Sequence, residues 1–143
     1  MITRVLAGTV VGGIVMFVLG WLIYGLLLAE YMKAHTVNYA GLMKDPPDMI
    51  PLILANLVWA WLLAFVFDYW ANIRTFAGGV KGGALIILPL VLGIDLQFMA
   101  FMNLYQGIVP LIIDVIAATL LGAIVGGVIG WVLGMVGKKA GLE

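Results

Sequence analysis

Residues 109–136 read VPLIIDVIAATLLGAIVGGVIGWVLGMV, and a single charge, Asp114, interrupts the run. A helix of about 20 apolar residues crosses the ~30 Å hydrocarbon core of a bilayer, so this stretch predicts a membrane span with residues to spare. Three more stretches toward the N-terminus meet the same criterion. Residues 5–28 carry no charge, residues 50–67 form a shorter uncharged run, and residues 82–102 carry Asp95 and Gln97. The expected fold is an all-α integral membrane four-helix bundle, one domain over residues 1–143.

Composition agrees. Of the 143 residues, 65% are hydrophobic and 10% charged, against about 45–50% and about 25% in an ordinary soluble domain. A soluble fold of this size leaves too much surface wet to hide that apolar excess, so soluble and disordered classes are excluded. The chain has no cysteine and no serine, which removes disulfides, thiolate metal sites and the commonest hydroxyl and thiol nucleophiles. His35 is the single histidine, so neither a haem held by two imidazoles of one chain nor a multi-histidine zinc site can form. No catalytic residue, metal site or cofactor is expected, and a net charge of zero gives no footprint for nucleic acid.

The first run is too long for the 7–15-residue apolar core of a signal peptide, and no small-residue cleavage site follows it; it is expected to stay as a span. Four spans place both termini and the second loop on one side. Five of the seven Lys and Arg residues collect there, Arg4, Arg74, Lys81, Lys138 and Lys139. The positive-inside rule then predicts cytoplasmic termini in a bacterial-type inner membrane. The final Leu142–Glu143 reads as the remnant of a removed tag, so Glu143 carries no weight.

The longest connection, about Glu30 to Met49, predicts a short helix capped by Asn38 and running to Lys44, stopped by Pro46–Pro47. It reads as a connector in the headgroup region or as a lid. Two further patterns concern packing. PLILANLVWAWLLAFV from Pro51 overlays PLIIDVIAATLLGAIV from Pro110 with a one-residue slip, which suggests two repeated helical hairpins and puts Asn56 level with Asp114. Gly122, Gly126, Gly130 and Gly134 form an i, i+4 stripe that lets another helix approach closely, either inside the bundle or as a homo-oligomer face. Pro89 predicts a bend in the third span.

Function is sought in the polar residues, because a carboxylate near the bilayer centre costs about 2.5–3.5 kcal/mol on insertion scales. Asp95 has no cation near it in sequence. Asp114, Asn56 and Glu30 fall in the same outer half as Asp95, with Tyr24 beside them and Trp59 one turn from Asn56. Together they predict a ligand-binding pocket. The bland alternatives are a helix-dipole role for Asp114 and a headgroup pair of Glu30 with Lys33. Asp68 and Arg74 read as an interfacial ion pair. Trp70, Trp131 and Tyr105 read as interfacial anchors, and His35 as a solvated loop residue.

The stretch FVLGWLIYGLLLAEYMKAH from Phe17, the polar position in the third span and the LIIDVIAATLLGAIVGG run resemble a bacterial membrane family catalogued as domain of unknown function 1761. The sequence departs from that pattern at Asp114, where asparagine is usual, and at Leu26. The resemblance implies a four-helix membrane protein without an assigned activity, and marks Tyr24 and Asp114 as positions to test.

The leading expectation is a binding or transport protein holding a small amphipathic or cationic ligand in an outward-facing pocket around Asp95 and Asp114. Transport by so short a chain favours a dimer. The alternatives are an accessory subunit packing through its glycine stripe in a larger membrane complex, and an enzyme acting on a lipid or quinone with carboxylates as acid–base groups.

Overall fold

A computed structural model describes residues 2–139, with backbone alone at 138 and 139; Leu142–Glu143 and the side chains of Lys138 and Lys139 lie outside the described residues. The described residues form four membrane-length helices and one short one. They are α1 (Ile2–Leu27), α2 (Ala29–His35), α3 (Met49–Ala71), α4 (Phe76–Phe101) and α5 (Ile108–Lys139). Among the described residues there is no β-strand, only an isolated antiparallel bridge between Thr36 and Tyr105.

The termini of α1, α3, α4 and α5 have local causes. Over its last stretch, Trp21–Leu27, α1 widens to a π-helix, and α3 does the same over Phe67–Ala71. Asn72 then ends α3 in the left-handed region, φ 48°, which asparagine enters more readily than most residues. Thr75 caps α4 by accepting the Gly78 N–H at 3.1 Å. The third span therefore starts at Phe76 rather than Gly82, and Gly78, Gly79, Gly82 and Gly83 are all helical. Gly107, at φ 110°, makes the turn into α5.

The most extensive packing is α4 on α5, followed by α1 on α3, and α1 against α5 joins the two pairs. Thus α1 and α5 stand at the centre, with α3 and α4 flanking them. The core is built from Val5 and Met16 of α1, Ala60, Leu63, Ala64 and Phe67 of α3, and Val125, Ile129 and Leu133 of α5. It fills the half of the bundle nearer the chain termini, called here the terminal end. The half nearer α2 and the α4–α5 connection, the loop end, is more open. Outward faces of the spans carry large exposed aliphatic side chains such as Leu6, Leu54, Leu85 and Leu120, which suits contact with lipid.

Two expectations fail here. The glycine stripe of α5 is not free to form a homo-oligomer face. Gly122, Gly126, Gly130 and Gly134 are all buried, and α4 covers them. A Cβ at Gly126 would run into the Gly79 carbonyl, one at Gly122 into Ile87, one at Gly130 into the Thr75 carbonyl, and one at Gly134 into the Arg74 carbonyl. The stripe is the seam of the α4–α5 hairpin. Asn38 caps no helix either. The helical segment lies earlier, at Ala29–His35, while residues 39–42 form a turn and Gly41 takes φ 85°, which breaks any helix through Lys44.

Candidate functional site

The open half of the bundle contains a cleft of about 300 Å³ to which all four spans contribute. Its chemistry comes from Asp95 of α4 and Asp114 of α5, with Tyr24 of α1 and Trp59 of α3 beside them; Met16, Ile87 and Leu121 are among its apolar walls. The hairpin seam explains why both acids line the cleft. Asp95 precedes the end of α4 at Phe101 by as many residues as Asp114 follows the start of α5 at Ile108. At 1.5 Å per residue, each lies about 9 Å inside the loop end. The seam sets α4 and α5 in register, so the two acids line the same cleft.

Asp95 is 4% exposed. One oxygen, Oδ1, accepts a hydrogen bond from the Tyr105 hydroxyl at 3.0 Å. The other, Oδ2, is buried with no hydrogen-bond partner among the described residues. Tyr24 sits in the π-helical stretch of α1, and its hydroxyl donates to the backbone carbonyl of Asp114 at 3.4 Å. Single π-helical stretches recur at functional positions, because the wider turn re-aims side chains. Here that turn carries Tyr24 toward the acid pair.

Tyr105 is a site residue that the sequence reading treated as an interfacial anchor. It lies in the α4–α5 connection, where a small backbone clasp positions it. Val37 N–H donates to the Leu104 carbonyl at 2.8 Å, and Gln106 N–H donates to the His35 carbonyl at 2.9 Å. The segment after α2 therefore holds the loop that aims Tyr105 at Asp95. Burial, reinforced by its bond to Asp95, pushes the Tyr105 phenol above its ordinary pKa. It stays a protonated donor at neutral pH.

Four of the six residues predicted for the pocket are brought together: Asp95, Asp114, Tyr24 and Trp59. Asn56 and Glu30 are not. Asn56 faces a separate apolar groove between α1 and α3, with Gly13, Phe17 and Ile53, and its amide donates to the Leu52 carbonyl at 2.7 Å. It lies three residues from Trp59, yet the two side chains open onto different surfaces. Glu30 is exposed in α2, and no ion pair joins it to Lys33 among the described residues. His35 is half-buried rather than solvated, stacked on Tyr31 with ring centroids 4.2 Å apart. No cluster of three or more metal-ligating side chains occurs among the described residues.

The predicted Asp68–Arg74 pair forms at the terminal end, with Arg74 Nη2 3.6 Å from Asp68 Oδ1. A second guanidinium joins it. Arg4 Nε lies 3.2 Å from the same oxygen, and Arg4 and Asp68 are 5% and 6% exposed. Arg4 read as a flanking positive charge in the sequence. It is a buried residue that ties the start of α1 to the end of α3.

No family model matches the chain, and neither curated proteins nor solved structures gave a match.

Proposed function

We propose that the protein binds a small organic cation with an apolar body in the cleft between its four spans. The observation that carries this reading is the buried Asp95 carboxyl, whose Oδ2 has no hydrogen-bond partner among the described residues, in a cleft that Asp114 also lines. Two carboxyls on one low-dielectric wall need a proton or a cation between them. The cleft adds the indole of Trp59 and a largely apolar lining, which suits an amine or quaternary ammonium better than a metal ion. An aromatic face next to a carboxylate is a favourable setting for such a group. Tyr24 and Tyr105 act as positioning residues that fix the two acids.

The proposal is for a binding protein, with the cleft opening on the non-cytoplasmic side of a bacterial-type inner membrane and both termini cytoplasmic. Coupled movement of the ligand and of a proton on the acid pair would make it a transporter. The accessory-subunit alternative loses its proposed surface, because α4 already occupies the glycine stripe.

The test is isothermal calorimetry with benzyltrimethylammonium on protein in nanodiscs. Saturable binding is expected in the wild type, weakened at least tenfold in Asp95→Asn and in Asp114→Asn, and little changed in Asn56→Ala or Glu30→Gln. Equal binding by wild type and Asp95→Asn would reject the reading.

A further inference from the structure

The terminal end carries a charge surplus for which the cleft has no use. The Asp68 side chain has 0% exposure and meets two guanidinium groups, Arg4 and Arg74, on one oxygen. Among the described residues, one carboxylate against two guanidiniums leaves a positive charge. Arginine does not deprotonate in proteins, so this surplus cannot be titrated away and needs an anion at short range. Arg4 Nε and Nη1, Arg74 Nε and both Asp68 carboxylate oxygens are buried with no hydrogen-bond partner among the described residues, so neither guanidinium is fully satisfied by the ion pairs. The Arg4 side chain is 6% exposed, whereas that of Arg74 is 26% exposed, which leaves an approach from the surface on the Arg74 side.

A second feature adds positive potential at the same place. The residue after Arg74 is Thr75, the cap of α4. The amides of Phe76 and Ala77 begin that helix and have no intrahelical acceptor, and the helix dipole is positive at this end. Guanidinium groups beside a helix N-terminus are a favourable arrangement for phosphate oxygens. The site also sits where four spans end, at the depth of lipid headgroups.

The geometry points to a phosphate-binding site formed by Arg74, the start of α4 and the buried Arg4, taking a phosphate monoanion from either an anionic phospholipid headgroup or free phosphate. This inference is independent of the cleft and survives if the cleft reading fails.

Thermal unfolding in maltoside detergent tests it, with dioleoylphosphatidylglycerol, dioleoylglycerol and sodium phosphate as separate additions. Phosphatidylglycerol should raise the Tm of the wild type by a few degrees, and dioleoylglycerol, which lacks the phosphate, should not. Arg74→Gln keeps the neutral Arg4–Asp68 pair; it should fold and lose the response. Lys81→Gln should keep it. Arg74→Lys, which retains the charge without the fork, should keep part of it and provides the comparison if Arg74→Gln does not fold. A similar rise with millimolar sodium phosphate would assign the site to the free anion rather than the lipid. No rise in the wild type, or an equal rise in wild type and Arg74→Gln, would overturn the site.

Discussion

Asp95 and Asp68 are the two carboxylates buried within spans, and their surroundings differ in kind. Asp68 is over-supplied with positive charge, whereas Asp95 has a phenol, a second acid and no cation. Breaking a buried ion pair by removing one partner typically costs about 3–5 kcal/mol, because a charge is left uncompensated. Asp68→Asn, which strands two guanidiniums, is expected in that range. Lys44→Ala, which breaks the exposed pair with Asp48, should cost less than about 1 kcal/mol. Reversible unfolding in mixed micelles measures both. Tyr105→Phe removes the hydroxyl that satisfies Asp95 Oδ1, and an orphaned buried acceptor costs about 1–3 kcal/mol. Equal stability of Tyr105→Phe and the wild type would show that this bond does not hold the site. Asp95 and Asp114 could be found from sequence because charge in an apolar run is conspicuous. Tyr105 and Arg4 could not, since aromatic and basic residues at span ends are ordinary; the fold of the α4–α5 turn aims Tyr105 at Asp95, and the partner of Arg4 lies far along the chain.

At the scale of elements, the α4–α5 seam determines where the acids sit. Its glycines bring two backbones together so closely that side-chain atoms have no room. Gly126→Ala places a methyl group against the Gly79 backbone, which cannot swing aside as a flexible side chain could. Overpacking of this kind costs about 1–3 kcal/mol, and the shift it forces should also disturb the level at which Asp95 and Asp114 line the cleft. Gly93→Ala is the control: nothing lies within 4 Å of a Cβ there, and alanine's helix propensity favours it by about 1 kcal/mol. Unfolding free energies of the two variants should therefore move in opposite directions. The stripe was visible in the sequence, but its partner was not. Glycine spacing states that a helix comes close without stating which helix, and Gly79 and Gly83 identify α4 only once the hairpin is folded. The same limit applies to Asn56. Three residues of separation place it near Trp59, but the rotation of α3 against α1 decides that one side chain enters the cleft and the other faces a groove.

For the whole molecule, the spans and their number followed from composition and length, since a 65% hydrophobic chain has few ways to satisfy its backbone other than as membrane helices. The arrangement of those spans depended on packing. A packed half at the terminal end and an open half at the loop end make a bundle with a polar cleft lined by Asp95 and Asp114. Cysteines placed singly at residue 38 and at residue 73 should label from opposite faces of sealed inverted and right-side-out vesicles, with residue 38 on the non-cytoplasmic face. Labelling of both from the same face would reject the four-span topology.

The central claim is that the acid pair holds a cation. Native mass spectrometry of protein gently extracted from its own membrane tests it most directly. A small cationic mass should be retained by the wild type and lost from Asp95→Asn, with both proteins folded. An unliganded wild type, or a mass kept equally by the Asp95→Asn protein, would contradict it.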